Sequence, residues 1–157
     1  MKPHTHAAYA LTLAALLALL TINAGCAVFG GRSRDWYNGP EQYRQATKDA
    51  INISIAELSA ELGRPLRFRW DKDSITVNVP PPDGHVHGIP AVRNPHHGGL
   101  VWGYAAGRRA VVPVGHRMSA LVHEVGHVVL HLNGMQSVDP ETHHRMAPRF
   151  FRKHNGR

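Results

Sequence analysis

The chain has 157 residues, room for one modest core and too little for two independent domains, so a dinucleotide-binding domain with a separate substrate domain is excluded. A single cysteine, Cys26, excludes a disulfide scaffold. Thirteen histidines against four phenylalanines direct attention to metals, and a net charge of +7 points to an anionic neighbourhood.

Lys2 precedes Ala7 to Ile22, a stretch with no charged residue. This order matches the basic and apolar regions of a secretory signal, and the stretch is shorter than the about 20 residues that a membrane span wants. It ends in Asn23-Ala24-Gly25-Cys26. Ala-Gly-Cys after an apolar run resembles a bacterial lipobox, with Asn23 where that family usually has Leu. The resemblance implies cleavage before Cys26 and lipidation of that cysteine. Ala27 after it, rather than Asp, implies retention at the outer membrane, on the periplasmic side, in a Gram-negative host. An ordinary signal cut elsewhere, with Cys26 a stray thiol, is the alternative. Residues 1–25 are therefore expected to be a signal peptide and 26–39, with Gly30, Gly31 and Gly39, a lipid-anchored tether. Residues 40–157 are expected to form the functional domain.

Pro40 opens a predicted helix from Glu41 to Leu62, stopped by Gly63. Its expected apolar face is Tyr43, Ala46, Ala50, Ile53, Leu58 and Leu62. Leu66 to Trp70 and Ile75 to Val79 both alternate apolar with polar residues and predict two half-buried strands. Residues 80–99, rich in Pro, Gly and His, predict a long loop. Leu100 to Ala105 and Ala110 to Val114 predict two short strands around Gly107. Met118 to Leu132 predicts a second helix closed by Asn133-Gly134. Asp139-Pro140 predicts the N-cap and first position of a last helix. The order is that of an α+β domain with a short, mostly antiparallel sheet.

The second helix contains His123-Glu124-Val125-Gly126-His127, which matches H-E-x-x-H. Residues four apart lie one turn up the same helix face, so both imidazoles can reach one metal ion. Glu124, rotated around the helix, can take a proton from a metal-activated water. The apolar residues Leu121, Val122, Val125, Val128, Val129, Leu130 and Leu132 would bury the rest of the helix and hold the ligands still.

The segment Leu121 to His131, after the strand Ala110 to Val114, resembles the active-site helix of zincin metallopeptidases. The resemblance implies that His123 and His127 bind zinc, that Glu124 is the general base, and that the preceding strand pairs with extended substrate. His131, about 12 Å along the helix from His123, cannot share the ion. The longer metzincin motif fails, with Leu130 at its Gly and Asn133 at its His. The third ligand is therefore expected on the last helix, at His144 or His143 in preference to Glu141. Tyr104, His116 and His131 are candidate donors to a developing oxyanion.

His85, His87, His96 and His97 raise a second metal site as a further reading, against solvent-exposed loop histidines. Arg145, Arg149, Arg152, Lys153 and Arg157 form a basic end, a solvated face that can also steer the chain to anionic envelope polymers. Nucleic acid is not expected, because no aromatics interleave with these charges. The combined expectation is a zinc-dependent, lipid-anchored envelope hydrolase, most plausibly a metallopeptidase acting on a peptide or protein. A non-catalytic metal-binding interaction or assembly lipoprotein is the alternative.

Overall fold

The computed structural model describes residues 35–136 and 140–155. The expected signal peptide, Cys26 and most of the expected tether lie outside the described residues, as does Asp139. Within them, a mixed α+β fold is built from four helices and two small sheets.

Helix α1 (Arg44–Leu62) follows a single 3-10 turn, Glu41–Tyr43, and ends at Gly63. Gly63 sits at φ 62°, a left-handed conformation that a residue without a Cβ adopts at no steric cost. The buried face is Thr47, Ala50, Ile51, Ser54 and Leu58, rotated from the expected one. Of the six expected residues only Ala50 and Leu58 are fully buried. The seam against the neighbouring helix uses small hydroxyl residues with their own partners. Thr47 Oγ1 donates to the Tyr43 carbonyl at 2.8 Å, and Ser54 Oγ to that of Val122 at 3.3 Å.

Strands β1 (Tyr37–Asn38), β2 (Ile75–Asn78), β6 (Tyr104–Ala106) and β7 (Arg109–Val111) form one sheet in the order β1-β2-β7-β6. β1 falls within the residues expected to be tether. β2 runs parallel to both β1 and β7, with Val77 opposite Ala110, and only β6 and β7 are antiparallel. The larger sheet is therefore mixed, not mostly antiparallel. Strands β3 (Gly84–Val86), β4 (Ile89–Arg93) and β5 (Leu100–Val101) form a second, fully antiparallel sheet. The expected loop over residues 80–99 thus holds a hairpin. Its two-residue turn is His87-Gly88, with φ of 52° and 75°, the pair of positive angles that suits the right-handed twist of the flanking strands.

Leu66 to Trp70 is not a strand. Leu66 and Phe68 are buried in alternation as expected, but side chains take the place of a ladder. The Leu66 amide bonds Ser59, the Arg67 amide and carbonyl bond the Asn133 side chain, and the Arg69 amide bonds Asp73. The expected strand at 100–105 is also divided. Leu100–Val101 joins the second sheet and Tyr104–Ala106 the first, with the chain changing sheets at Trp102-Gly103.

Helix α2 (Met118–Leu132) has the expected bounds. Its end is closed by Gly134 at φ 82°, with the Gly134 amide on the His131 carbonyl and the Met135 amide on that of Leu130. Leu121, Val122, Val125, Val128, Val129 and Leu130 are all at most 1% exposed and form the centre of the core, packed against α1 and the larger sheet, while Leu132, expected with them, is only partly buried. Burial of each such side chain is worth about 1.5–3 kcal/mol. The expected last helix is two short ones, α3 (Pro140–Met146) and α4 (Pro148–Lys153). The break falls at Ala147, whose φ of −133° and ψ of 63° are set by the proline that follows it.

Candidate metal centre

His123, Glu124 and His127 project from the middle of α2, and His144 comes from α3. One ring nitrogen from each of His123, His127 and His144 lies within 4.8 Å of the other two, so the three side chains can hold a metal ion. Nε2 of His123 is 3.4 Å from Nε2 of His127 and 3.2 Å from Nε2 of His144. His123 Nδ1 lies 2.9 Å from the carbonyl oxygen of His154. A carbonyl can only accept, so the ring carries its proton on Nδ1 and leaves Nε2 bare, facing the other two.

His123 and His127 are held in their neutral forms. Burial, then the neighbouring His144, pushes His123 down to about 4. Burial, then the neighbouring His123, His143 and His144, pushes His127 down to about 2. Neutral imidazoles are the form that ligates. Glu124 is also buried, and burial alone pushes its carboxyl up to about 8.

Helix α4 forms the back wall. Phe151 stacks on His127 with ring centroids 4.4 Å apart, and its ring lies 5.0 Å from that of His123 and 4.7 Å from that of His144. The helix is fixed to α1 by two acids one turn apart. Glu61 accepts the first free amides of α4, from Arg149 and Phe150, each at 2.8 Å. Glu57 bonds Lys153 at 2.6 Å and His154 Nε2 at 2.9 Å. Gly126, on α2, faces Phe150 so closely that an added Cβ would lie inside the ring's van der Waals envelope. None of Phe151, Glu57 or Glu61 is legible as a site residue in the sequence, because nothing local marks which acid of α1 meets which end of α4.

The site opens into a cleft of about 770 Å³ between α2, α3 and the 100–107 segment. Val86, Leu100 and Trp102 give it apolar walls, and Tyr104 and His131 line it. Of the sequence's candidate oxyanion donors, His116 is placed elsewhere: its ring lies 5.4 Å from that of Tyr43 and its Nδ1 donates to the Pro113 carbonyl. Gly103 backs Glu124. A Cβ there would fall 2.8 Å from Glu124 Cγ and 2.9 Å from the Val111 carbonyl oxygen.

Of the three residues offered as third ligand, His144 is in the cluster. Glu141 is largely exposed, with Oε1 3.8 Å from His144 Nδ1. His143 lies beside that cluster: its Nδ1 is 2.9 Å from Nδ1 of His127, on the ring edge away from the cluster. His85, His87, His96 and His97 are all exposed, and among the described residues they do not converge into a second group. His96 and His97 instead line the mouth of the cleft. Of the strand expected to receive substrate, the part in β7 is paired on both sides, by β2 and β6, and the two edge strands of that sheet are β1 and β6. Compared with known proteins, the chain matches no family model, no curated protein and no solved structure.

Proposed function

We propose that the protein is a zinc-dependent hydrolase of the bacterial cell envelope, a metallopeptidase cleaving peptide or amide bonds. The observation that carries this reading is the spacing of the three imidazoles. Zinc–nitrogen bonds of about 2.0–2.1 Å at tetrahedral angles hold ligand nitrogens about 3.3 Å apart. The Nε2 atom of His123 lies 3.4 Å from that of His127 and 3.2 Å from that of His144. The bare Nε2 of His123 faces the other two nitrogens across these distances and can share an ion with them. Three imidazole nitrogen donors suit zinc and would leave a fourth position free. The likeness of Leu121 to His131 to the zincin active-site helix supports the same ion.

Bound there, zinc would supply the Lewis acidity that activates a water and polarises the scissile carbonyl, and its charge would favour the carboxylate form of Glu124. Glu124, next to His123 on α2, accepts the proton of the attacking water and returns it to the leaving amine. Tyr104 and His131 are the candidate donors to the oxyanion, since both line the cleft. An extended peptide would lie along the free edge of β6, its side chains against the apolar walls of the cleft. In this reading the chain is exported, and a lipid at Cys26 ties it to the outer membrane.

The test is metal content and hydrolysis of a mixed peptide substrate, measured on the full chain, on Glu124→Gln and on His127→Ala. About one zinc per chain is expected in the wild type and in Glu124→Gln, with none in His127→Ala, and turnover in the wild type alone. A Glu124→Gln variant that kept turnover or lost its zinc would sink the assignment. Zinc without turnover in any form would make the protein a metal-binding interaction lipoprotein.

A further inference from the structure

We infer that His143 is a positioning residue for the metal centre: it fixes the tautomer of His127 so that Nε2, and not Nδ1, is the bare nitrogen facing His123 and His144. This rests on the reading of the three histidines as a metal site and adds a fourth histidine that binds no metal.

The assignment follows from one chain of hydrogen bonds. Nε2 of His143 lies 2.6 Å from the carbonyl oxygen of Met135. A carbonyl only accepts, so His143 carries its proton on Nε2. A neutral imidazole has a single N–H, which leaves Nδ1 of His143 as an acceptor. That atom is 2.9 Å from Nδ1 of His127, so the proton between them belongs to His127. Nε2 of His127 is then bare, and it is the atom 3.4 Å from Nε2 of His123. His143 is 5% exposed and His127 8%, so both rings are largely shielded from bulk water.

The chain is anchored in the backbone. The Met135 carbonyl follows the left-handed turn at Gly134 that closes α2. Metal-ligating histidines commonly give their second N–H to a carboxylate, a carbonyl or a water. Here a second histidine relays that role to a carbonyl, so no charge is buried behind the ligand. Both nitrogens of His143 are thereby used, which is why it stands beside the cluster and not in it.

The test uses the full chain, His143→Leu and His143→Asn, with zinc affinity read by competition against a chromophoric chelator. Leucine removes the acceptor, and zinc affinity is expected to fall about 10–100-fold. Asparagine offers its Oδ1 in place of the imidazole Nδ1, and most of the affinity is expected to return. The second readout is the two-bond ¹H–¹⁵N spectrum of the metal-free wild type at neutral pH, where His127 is expected as the Nδ1–H tautomer. A His127 proton on Nε2 overturns the inference whatever zinc does, as does an asparagine variant no better than leucine. A wild type that binds no zinc but shows the Nδ1–H tautomer overturns the metal reading and upholds the bond order argued here. Should the leucine variant not fold, the wild-type spectrum and the asparagine affinity decide the matter.

Discussion

The carbonyl oxygen of His154, the residue that ends α4, accepts the Nδ1 proton of His123 at 2.9 Å. A cluster histidine in the middle of α2 is thus aimed by the backbone of an element 31 residues further along. That element is held in turn by Glu57 and Glu61 of α1, so the geometry of the centre depends on a helix that contributes nothing to the cluster.

Glu61→Ala is expected to loosen α4 without unfolding the chain. Two amides at a helix start lose a carboxylate cap, a loss of about 1 kcal/mol. The denaturant midpoint should fall accordingly, and the amides of Arg149 and Phe150 should exchange faster than those of α2. Unchanged exchange at both would show that the cap contributes nothing.

His144→Ala and Glu141→Ala separate the third cluster histidine from its exposed neighbour. The alanine at 144 should weaken zinc binding by more than about 100-fold, beyond what losing an outer partner costs. The alanine at 141 should leave affinity within a few-fold, because its carboxylate is exposed and 3.8 Å from His144. The reverse order of the two effects would move the ligand to Glu141.

Gly126→Ala tests the contact between α2 and α4. Helix propensity alone favours alanine by about 1 kcal/mol. Overpacking against Phe150 opposes it by about 1–3 kcal/mol. Net destabilisation is expected, and Phe150→Leu in the same chain should relieve part of it, a non-additivity that thermal unfolding of the two single variants and the double variant can read. A stabilised single variant would mean that the ring yields easily.

Asp73 supplies a pH dependence far from the centre. Its carboxyl is buried and bonds the Arg69 guanidinium at 2.8 Å, and that bond, first among its causes, holds it below the usual carboxylate range. The folded value lies below the unfolded one of about 3.9, so the contribution is complete above that pH and is lost as pH falls through the folded value. Asp73→Asn should therefore cost about 1.5–3 kcal/mol at neutral pH and little once both chains are uncharged there. Equal urea midpoints for the two chains at pH 7 would refute the contribution.

Helix α2 and its histidine pair were legible because the signals are local: apolar residues at helical spacing, two histidines one turn apart, and a glycine that must turn left-handed. His144 was legible only as one of three, since α3 begins beyond a turn whose direction no short motif encodes. The fate of Leu66 to Trp70 was hidden for a different reason. Its alternation is real, but Asn133 and Asp73, one of them 66 residues away, satisfy the backbone before any strand can. The hairpin at His87-Gly88 escaped notice because a histidine seldom takes a positive φ. Parallel pairing of β2 with β7 was invisible because alternation fixes a strand's faces and says nothing of its neighbours.

At Gly103, where the chain passes from one sheet to the other, the methylene of Glu124 on one side and the Val111 carbonyl on the other leave no volume for a side chain. The constraint reaches outward from the carboxylate to the chain facing it. Position 103 is in effect a mould for position 124, and a library randomised at 103 and screened for turnover should return glycine alone, even among variants that fold.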